Sequence, residues 1–236
     1  MSTARRLIKG SIFRNAELCV LLVVSFLMTP LIVHSLGDRM YGVWTLVGIF
    51  MGYYGLLDFG LSSAASRFIS QSLGRNDYDE MSRVATTACT LFSMVGAAAL
   101  LITILIAAAC PFFIHDPSEA VLFRKIILLI GVATAVSFPA RVFDGILNSH
   151  LRYDYTSCIA IARTLLSNAA IYYYLSRGHG IMTVTFINFL ASLLQNAGSL
   201  VVAKTQYPHV RVGCLHAHPA QVRAMFSYSF CHALSW

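Results

Sequence analysis

Charged side chains are scarce in this sequence, at 11% of 236 residues, against about 25% in an ordinary soluble domain. So little charge excludes a water-soluble globule, because too few polar groups remain to cover the apolar ones. Cys-x-x-Cys pairs are missing. The six cysteines (Cys19, Cys89, Cys110, Cys158, Cys214 and Cys231) are scattered, most of them in or beside apolar runs. That excludes a zinc ribbon or a disulfide framework and leaves them as small packing residues. There is no His-Glu-x-x-His, no Walker loop, no Gly-x-Ser-x-Gly and no polar stretch long enough for a soluble catalytic domain. No enzymatic activity, cofactor or metal is therefore expected. His209, His216 and His218 share one loop with no carboxylate beside them, so a solvated loop is expected rather than a metal site.

What the sequence has is apolar length. Hydrophobic residues make up 57%, and the mean hydropathy is +0.69. A helix needs about 20 mainly apolar residues to cross a bilayer. Six stretches meet this, at 16–34, 41–62, 85–113, 123–147, 156–176 and 180–203, and a seventh begins near Ala224. Arg5, Arg6 and Lys9 ahead of the first stretch resemble the charged start of a signal peptide. However, residues 18–33 are apolar for longer than a signal core, and no small-x-small cleavage site follows. An uncleaved first helix is expected. The expected fold is an all-α integral membrane protein. It comprises a six-helix transmembrane bundle over 1–203, a cytoplasmic linker over 204–223, and the truncated start of a seventh helix over 224–236.

Basic residues favour the cytoplasmic side of a membrane. With the N-terminus inside, thirteen of the 17 lysines and arginines fall on inner segments or inner ends of spans. The net charge of +7 then needs no nucleic acid, because the anionic headgroups of membrane lipids balance it. Between the second and third stretches, Leu73-Gly74-Arg75-Asn76-Asp77 marks a turn. The residues before it form a helix that either extends the second span or lies along the membrane surface.

Polar residues inside spans are costly in lipid and tend to face a bundle interior or a watery cavity. Arg14 and Glu17 stand at i,i+3, close enough to pair. Thr29-Pro30 can kink the first helix. Gly48 and Gly52 allow close helix approach. Asp58, at the inner end of the second stretch, either caps the next helix or binds a coupling cation or proton. In the fourth stretch Arg141, Asp144 and Asn148 share one face, with Pro139 just before them. In the fifth, Arg163 lies roughly 10 Å from the inner end. In the sixth, Thr185, Asn188, Ser192, Gln195 and Ser199 form one polar stripe. Such a stripe can glue helices together. Beside two arginines it more readily lines a polar, positively charged cavity. Guanidinium groups suit phosphate oxygens, and hydroxyls and amides suit sugars, so a lipid-linked phosphosugar fits such a cavity.

The run Ser35-Leu36-Gly37-Asp38-Arg39-Met40-Tyr41-Gly42-Val43-Trp44, then Asp58-Phe59-Gly60-Leu61-Ser62-Ser63-Ala64 and Arg67-Phe68-Ile69, resembles the start of the polysaccharide transporter family. These are the O-antigen and exopolysaccharide flippases of the multidrug/oligosaccharidyl-lipid/polysaccharide exporter superfamily. Gly145-Ile146-Leu147-Asn148 with Arg152-Tyr153 is similar too. The resemblance covers the chain but only about half a family member, which usually has two six-helix lobes around a cleft. It implies a transporter that flips a polyprenyl-pyrophosphate-linked oligosaccharide across the cytoplasmic membrane by alternating access. Arg141, Arg152 and Arg163 would hold the pyrophosphate, with Asn188 and Gln195 on the substrate. Asp58 or Glu17 would couple to a cation or proton, and polysaccharide assembly proteins would be partners. The rival readings are a multidrug or metabolite exporter of the same superfamily, an inactive truncated fragment, a non-transporting partner subunit, and a glycan-assembly enzyme. The last would rest on Asp77-Tyr78-Asp79 alone, a weak metal–nucleotide-sugar motif.

Overall fold

A computed structural model describes residues 3–58, 60–114, 116–210, 212–213 and 221–222. Among them the chain is all helix. The elements are α1 (Thr3–Leu56), α2 (Leu61–Gly74), α3 (Tyr78–Phe113), α4 (Pro117–Ser149), α5 (Tyr153–Leu175) and α6 (Ile181–Gln206). α1 is two helices joined at Gly37, whose φ of 72° and ψ of 163° belong to a region that only glycine enters without strain. Counting its two arms, the described chain has seven helices.

Four stretches are long and apolar enough to cross a membrane: Ile8–Gly37, Tyr78–Cys110, Ser118–Ser149 and Ile181–Gln206. Their outward faces carry bare apolar side chains, such as Phe26 at 81% exposure and Leu105 at 68%. No water-soluble protein of this size presents such a girdle, whereas lipid accepts it. The chain is a multi-pass membrane protein. The second arm of α1 and the more polar α5 fall outside those four stretches.

The helix boundaries follow local chemistry. Asp77 caps α3, its carboxylate accepting from the Glu80 amide at 2.8 Å. Asp116 caps α4, accepting from the Ser118 amide at 3.0 Å. Pro117 stands at the start of α4, where its missing N–H costs nothing. The Asp77-Tyr78-Asp79 motif is thus a helix start.

α2 is a separate helix that packs through one face. Its buried residues Leu61, Ala64, Ala65, Ile69 and Ser72 recur at helical spacing and face α3 and α4. Leu61, Ala65 and Ile69 join a core with Met81, Ala85, Ala88 and Phe92 of α3 and Phe138, Val142 and Ile146 of α4. The second arm of α1 packs its Val47 into a separate core with Ala107 and Cys110 of α3 and Phe123, Ile126 and Ile127 of α4. The arm and α2 therefore stack end to end along the same helix pair. Asp58 sits at the break between them, beside Gly60 at φ 76°. Asp58 thus stands where one helix ends and the next begins, and α2 carries the chain on to Gly74.

α3 and α4 form the closest pair. A Cβ on Gly96 would stand 2.7 Å from the Ala135 carbonyl oxygen, and one on Gly131 would collide with Thr103. Gly48 and Gly52, expected to mediate close approach, have no described atom within 4 Å of where a Cβ would stand. α5 packs against α1 and α6, and α6 packs against α4. Hydroxyls within the helices mostly donate to the carbonyl one turn back, as Thr103, Thr134 and Thr185 do. That satisfies them without a partner helix.

α6 continues past residue 203 to Gln206, and Tyr207 then stacks on His150 with ring centroids 3.7 Å apart. The expected seventh helix, with Cys231, and the loop residues Cys214, His216 and His218 lie outside the described residues.

Candidate functional site: a cationic cavity between four helices

The polar groups of α4, α5 and α6 meet in one place. A cavity of about 370 Å³ opens between these helices and the second arm of α1. α4 supplies Ile130, Ala133, Thr134, Ser137 and Arg141, and α6 supplies Thr185, Asn188, Phe189 and Ser192. Each set falls at helical spacing on one face. α5 contributes Arg163, and α1 contributes Trp44.

The wall between α4 and α6 is a hydrogen-bonded seam. The Ser137 and Ser192 hydroxyls lie 3.0 Å apart, and the Asn196 amide donates to Ser137 at 2.9 Å. Asn188 donates to the Val184 carbonyl at 3.0 Å, which leaves its amide oxygen as an acceptor beside the cavity.

The two arginines differ in state. Arg141 stacks over the Phe138 ring at 4.5 Å and donates to the Asp58 carboxylate at 3.0 Å. The Arg141 side chain is 37% exposed and that of Asp58 is 19% exposed. Asp58 does not itself line the cavity, and it also accepts from the Ser62 hydroxyl at 2.7 Å. The Ser62 amide at the start of α2 also points at its carboxylate, at 3.4 Å, so Asp58 takes the capping role and adds an ion pair to Arg141. Arg163 has no ion-pair partner among the described residues, and its Nε is buried without a hydrogen bond. A buried guanidinium donor left open is costly. An anion brought into the cavity would balance the unpaired charge of this guanidinium.

Of the residues singled out from the sequence, Arg141, Arg163 and Asn188 line this cavity, while Arg152, Gln195 and Glu17 do not. Arg152 lies at the start of α5, roughly 16 Å along the helix from Arg163 at about 1.5 Å per residue. It reaches Asp154 at 3.9 Å and stacks on Tyr155 at 5.0 Å. Gln195 is partly buried on α6 but outside the lining. Its neighbour Asn196 makes the contact to α4 instead. Glu17 accepts from the Ser157 hydroxyl at 2.7 Å in the α1–α5 seam. Among the described residues it makes no ion pair with Arg14. Asp144 and Asn148 continue the Arg141 face away from the cavity. Ser199 donates to Asp144, and Thr156 donates to Asn148 at 3.5 Å. Sequence reasoning missed Ser137, Thr134, Trp44 and Phe189. Ser137 stands four residues before Arg141, a signal that was available.

The chain was compared with known proteins. Residues 16–235 match the family described as polysaccharide biosynthesis protein. Among solved structures, the fold is similar to a transporter of the same exporter superfamily from Pyrococcus furiosus, whose description notes a binding pocket of reversed polarity. The TM-score is 0.76 at 14% identity, over 98% of this chain and 52% of that one. It is also similar to an outward-facing multidrug resistance transporter of that superfamily, with a TM-score of 0.77 at 15% identity over the same shares. The chain thus spans about half the length of the solved structures it matches. No curated protein sequence matches it. An all-helical fold shared with these structures and a family match over nearly every residue lead to one conclusion: the chain belongs to the polysaccharide biosynthesis protein family.

Proposed function

We propose that this chain forms the N-terminal lobe of a flippase that moves a polyprenyl-pyrophosphate-linked oligosaccharide across the cytoplasmic membrane. The lobe has six spans, the second over 41–62, and its N-terminus is cytoplasmic. The observation that carries the reading is Arg163, a guanidinium with an open buried donor in a cavity that also holds Arg141 and a set of hydroxyls and amides. Guanidinium groups recognise pyrophosphate oxygens, and Asn188, Thr134, Ser137 and Ser192 offer partners for sugar hydroxyls. Lipid covers the apolar outer face and accommodates the polyprenyl tail. Of the two carboxylates expected to couple to an ion, Asp58 is the one bound to a cavity residue.

The test is complementation in cells lacking their own flippase, using the protein that carries this chain. Arg163→Ala should lower surface polysaccharide by roughly 10–100-fold, the range for losing a charged hydrogen bond, at unchanged protein level. Arg163→Lys should fall between the two. Normal polysaccharide with Arg163→Ala would sink the reading. Trp44 and Phe189 on the cavity wall favour a second reading, export of a flat aromatic compound, in keeping with the multidrug transporter among the similar structures. Drug resistance conferred by the protein, and raised by Arg163→Ala, would select it.

A further inference from the structure

The two cavity arginines do not enter on equal terms. Arg163 has no anionic partner among the described residues, whereas Arg141 is already held by a carboxylate. That carboxylate comes from behind the cavity wall, at the break where the second arm of α1 gives way to α2. We propose that Asp58 is a specificity-determining residue of the cavity, an internal anion that holds Arg141 until a substrate phosphate displaces it. The proposal rests on the flippase reading and adds a competitor to it.

Three features support an exchange at Arg141. Its side chain is more than a third exposed, so a ligand reaches it without unfolding anything. Asp58 keeps the Ser62 hydroxyl at 2.7 Å and the Ser62 amide at 3.4 Å when Arg141 leaves. No orphaned carboxylate results. The Phe138 ring, 4.5 Å beneath the guanidinium, gives Arg141 a surface to slide over while it stays cationic. Chloride binds a guanidinium more weakly than a carboxylate does, and a phosphate offers more charge and more acceptor oxygens. The Asp58–Arg141 pair therefore turns away simple monoanions and yields to a phosphate. A ligand with two phosphates meets Arg163 first and Arg141 second.

The experiment uses the purified chain in detergent with Trp236→Phe, so that Trp44 in the cavity wall reports binding by fluorescence. Farnesyl pyrophosphate is the probe. Asp58→Asn, which keeps a hydrogen bond to Ser62, should bind it about two- to fivefold more tightly, a gain in line with a partly exposed ion pair. Chloride should also compete better in that variant than in the parent. The gain should vanish in Asp58→Asn/Arg141→Ala. Binding by Asp58→Asn equal to or weaker than the parent, with Arg163→Ala still losing the probe, would overturn the proposal and leave the anion site standing. A gain that persists without Arg141 would overturn it too. If neither the parent nor Asp58→Asn binds the probe, or Arg163→Ala binds it as well as the parent, the anion site itself falls and the proposal with it. Should Asp58→Asn fail to fold, Ser62→Ala serves instead. Among the described residues it leaves Arg141 as the one side-chain partner of Asp58, so it should weaken binding several-fold, and unchanged binding would refute the competition.

Discussion

Replacing Gly96 with alanine tests the helix pair that carries Arg141. The added Cβ would stand 2.7 Å from the carbonyl oxygen of Ala135, and 3.4 Å from its carbonyl carbon and Cα. Ordinary contacts begin near 3.4 Å, so α3 and α4 must part by roughly 0.7 Å at this level. The obstacle is backbone, which no rotamer change can remove. Overpacking of this kind costs about 1–3 kcal/mol, partly offset by up to about 1 kcal/mol of helix propensity gained over glycine. Gly48→Ala is the matched control. It gains the same propensity and meets no described atom within 4 Å. Thermal unfolding in detergent, followed by the loss of helical signal, should show Gly96→Ala melting several degrees below the parent and Gly48→Ala at or above it. Equal melting of the two variants would mean that α3 and α4 are not in the tight contact described. Ala135 lies only six residues before Arg141, so Gly96→Ala should also weaken farnesyl pyrophosphate binding.

Asp116 joins the start of α4 to the second arm of α1, accepting from the Ser118 hydroxyl at 2.7 Å and from Arg39 at 2.8 Å. Those bonds to Ser118, and then Arg39, hold its carboxyl below the usual carboxylate range. The stabilisation is thus present above that range and lost as the pH falls through the lowered value. Melting temperature should drop on acidification below about pH 4, and Asp116→Asn should shrink the drop. An identical acid profile in the variant would remove Asp116 from the account. Arg152→Ala should leave farnesyl pyrophosphate affinity within about twofold of the parent, because Arg152 pairs at the far end of α5. A tenfold loss would place it in the path of the substrate after all.

The sequence alone identified the membrane solvent and most of the helices, and two of the three arginines it singled out line the cavity, for one reason. Apolar length and helical spacing are local properties, and a residue's place on its own helix is legible from them. Arg141, Thr185, Asn188 and Ser192 were found this way. What stayed hidden depends on how one helix is rotated and raised against another. Arg163 was placed inside a span by its depth, whereas Arg152 was named only through the family resemblance, and the structure leaves it at the α4–α5 turn. Gln195 fits the polar stripe as well as Asn196 fails to, but the angle at which α6 crosses α4 turns Asn196 to Ser137. Asp58 shows the same limit from the other side. Read locally it is a cap at the end of a span, and the cap is there. Only the stacking of α2 beneath the second arm of α1, along the α3–α4 pair, brings that carboxylate within 3.0 Å of Arg141. A residue that serves a backbone turn and a binding arginine together can be seen only once the helices are assembled. It follows that the charge balance of the cavity is set by the packing of α2, an element that lines none of it.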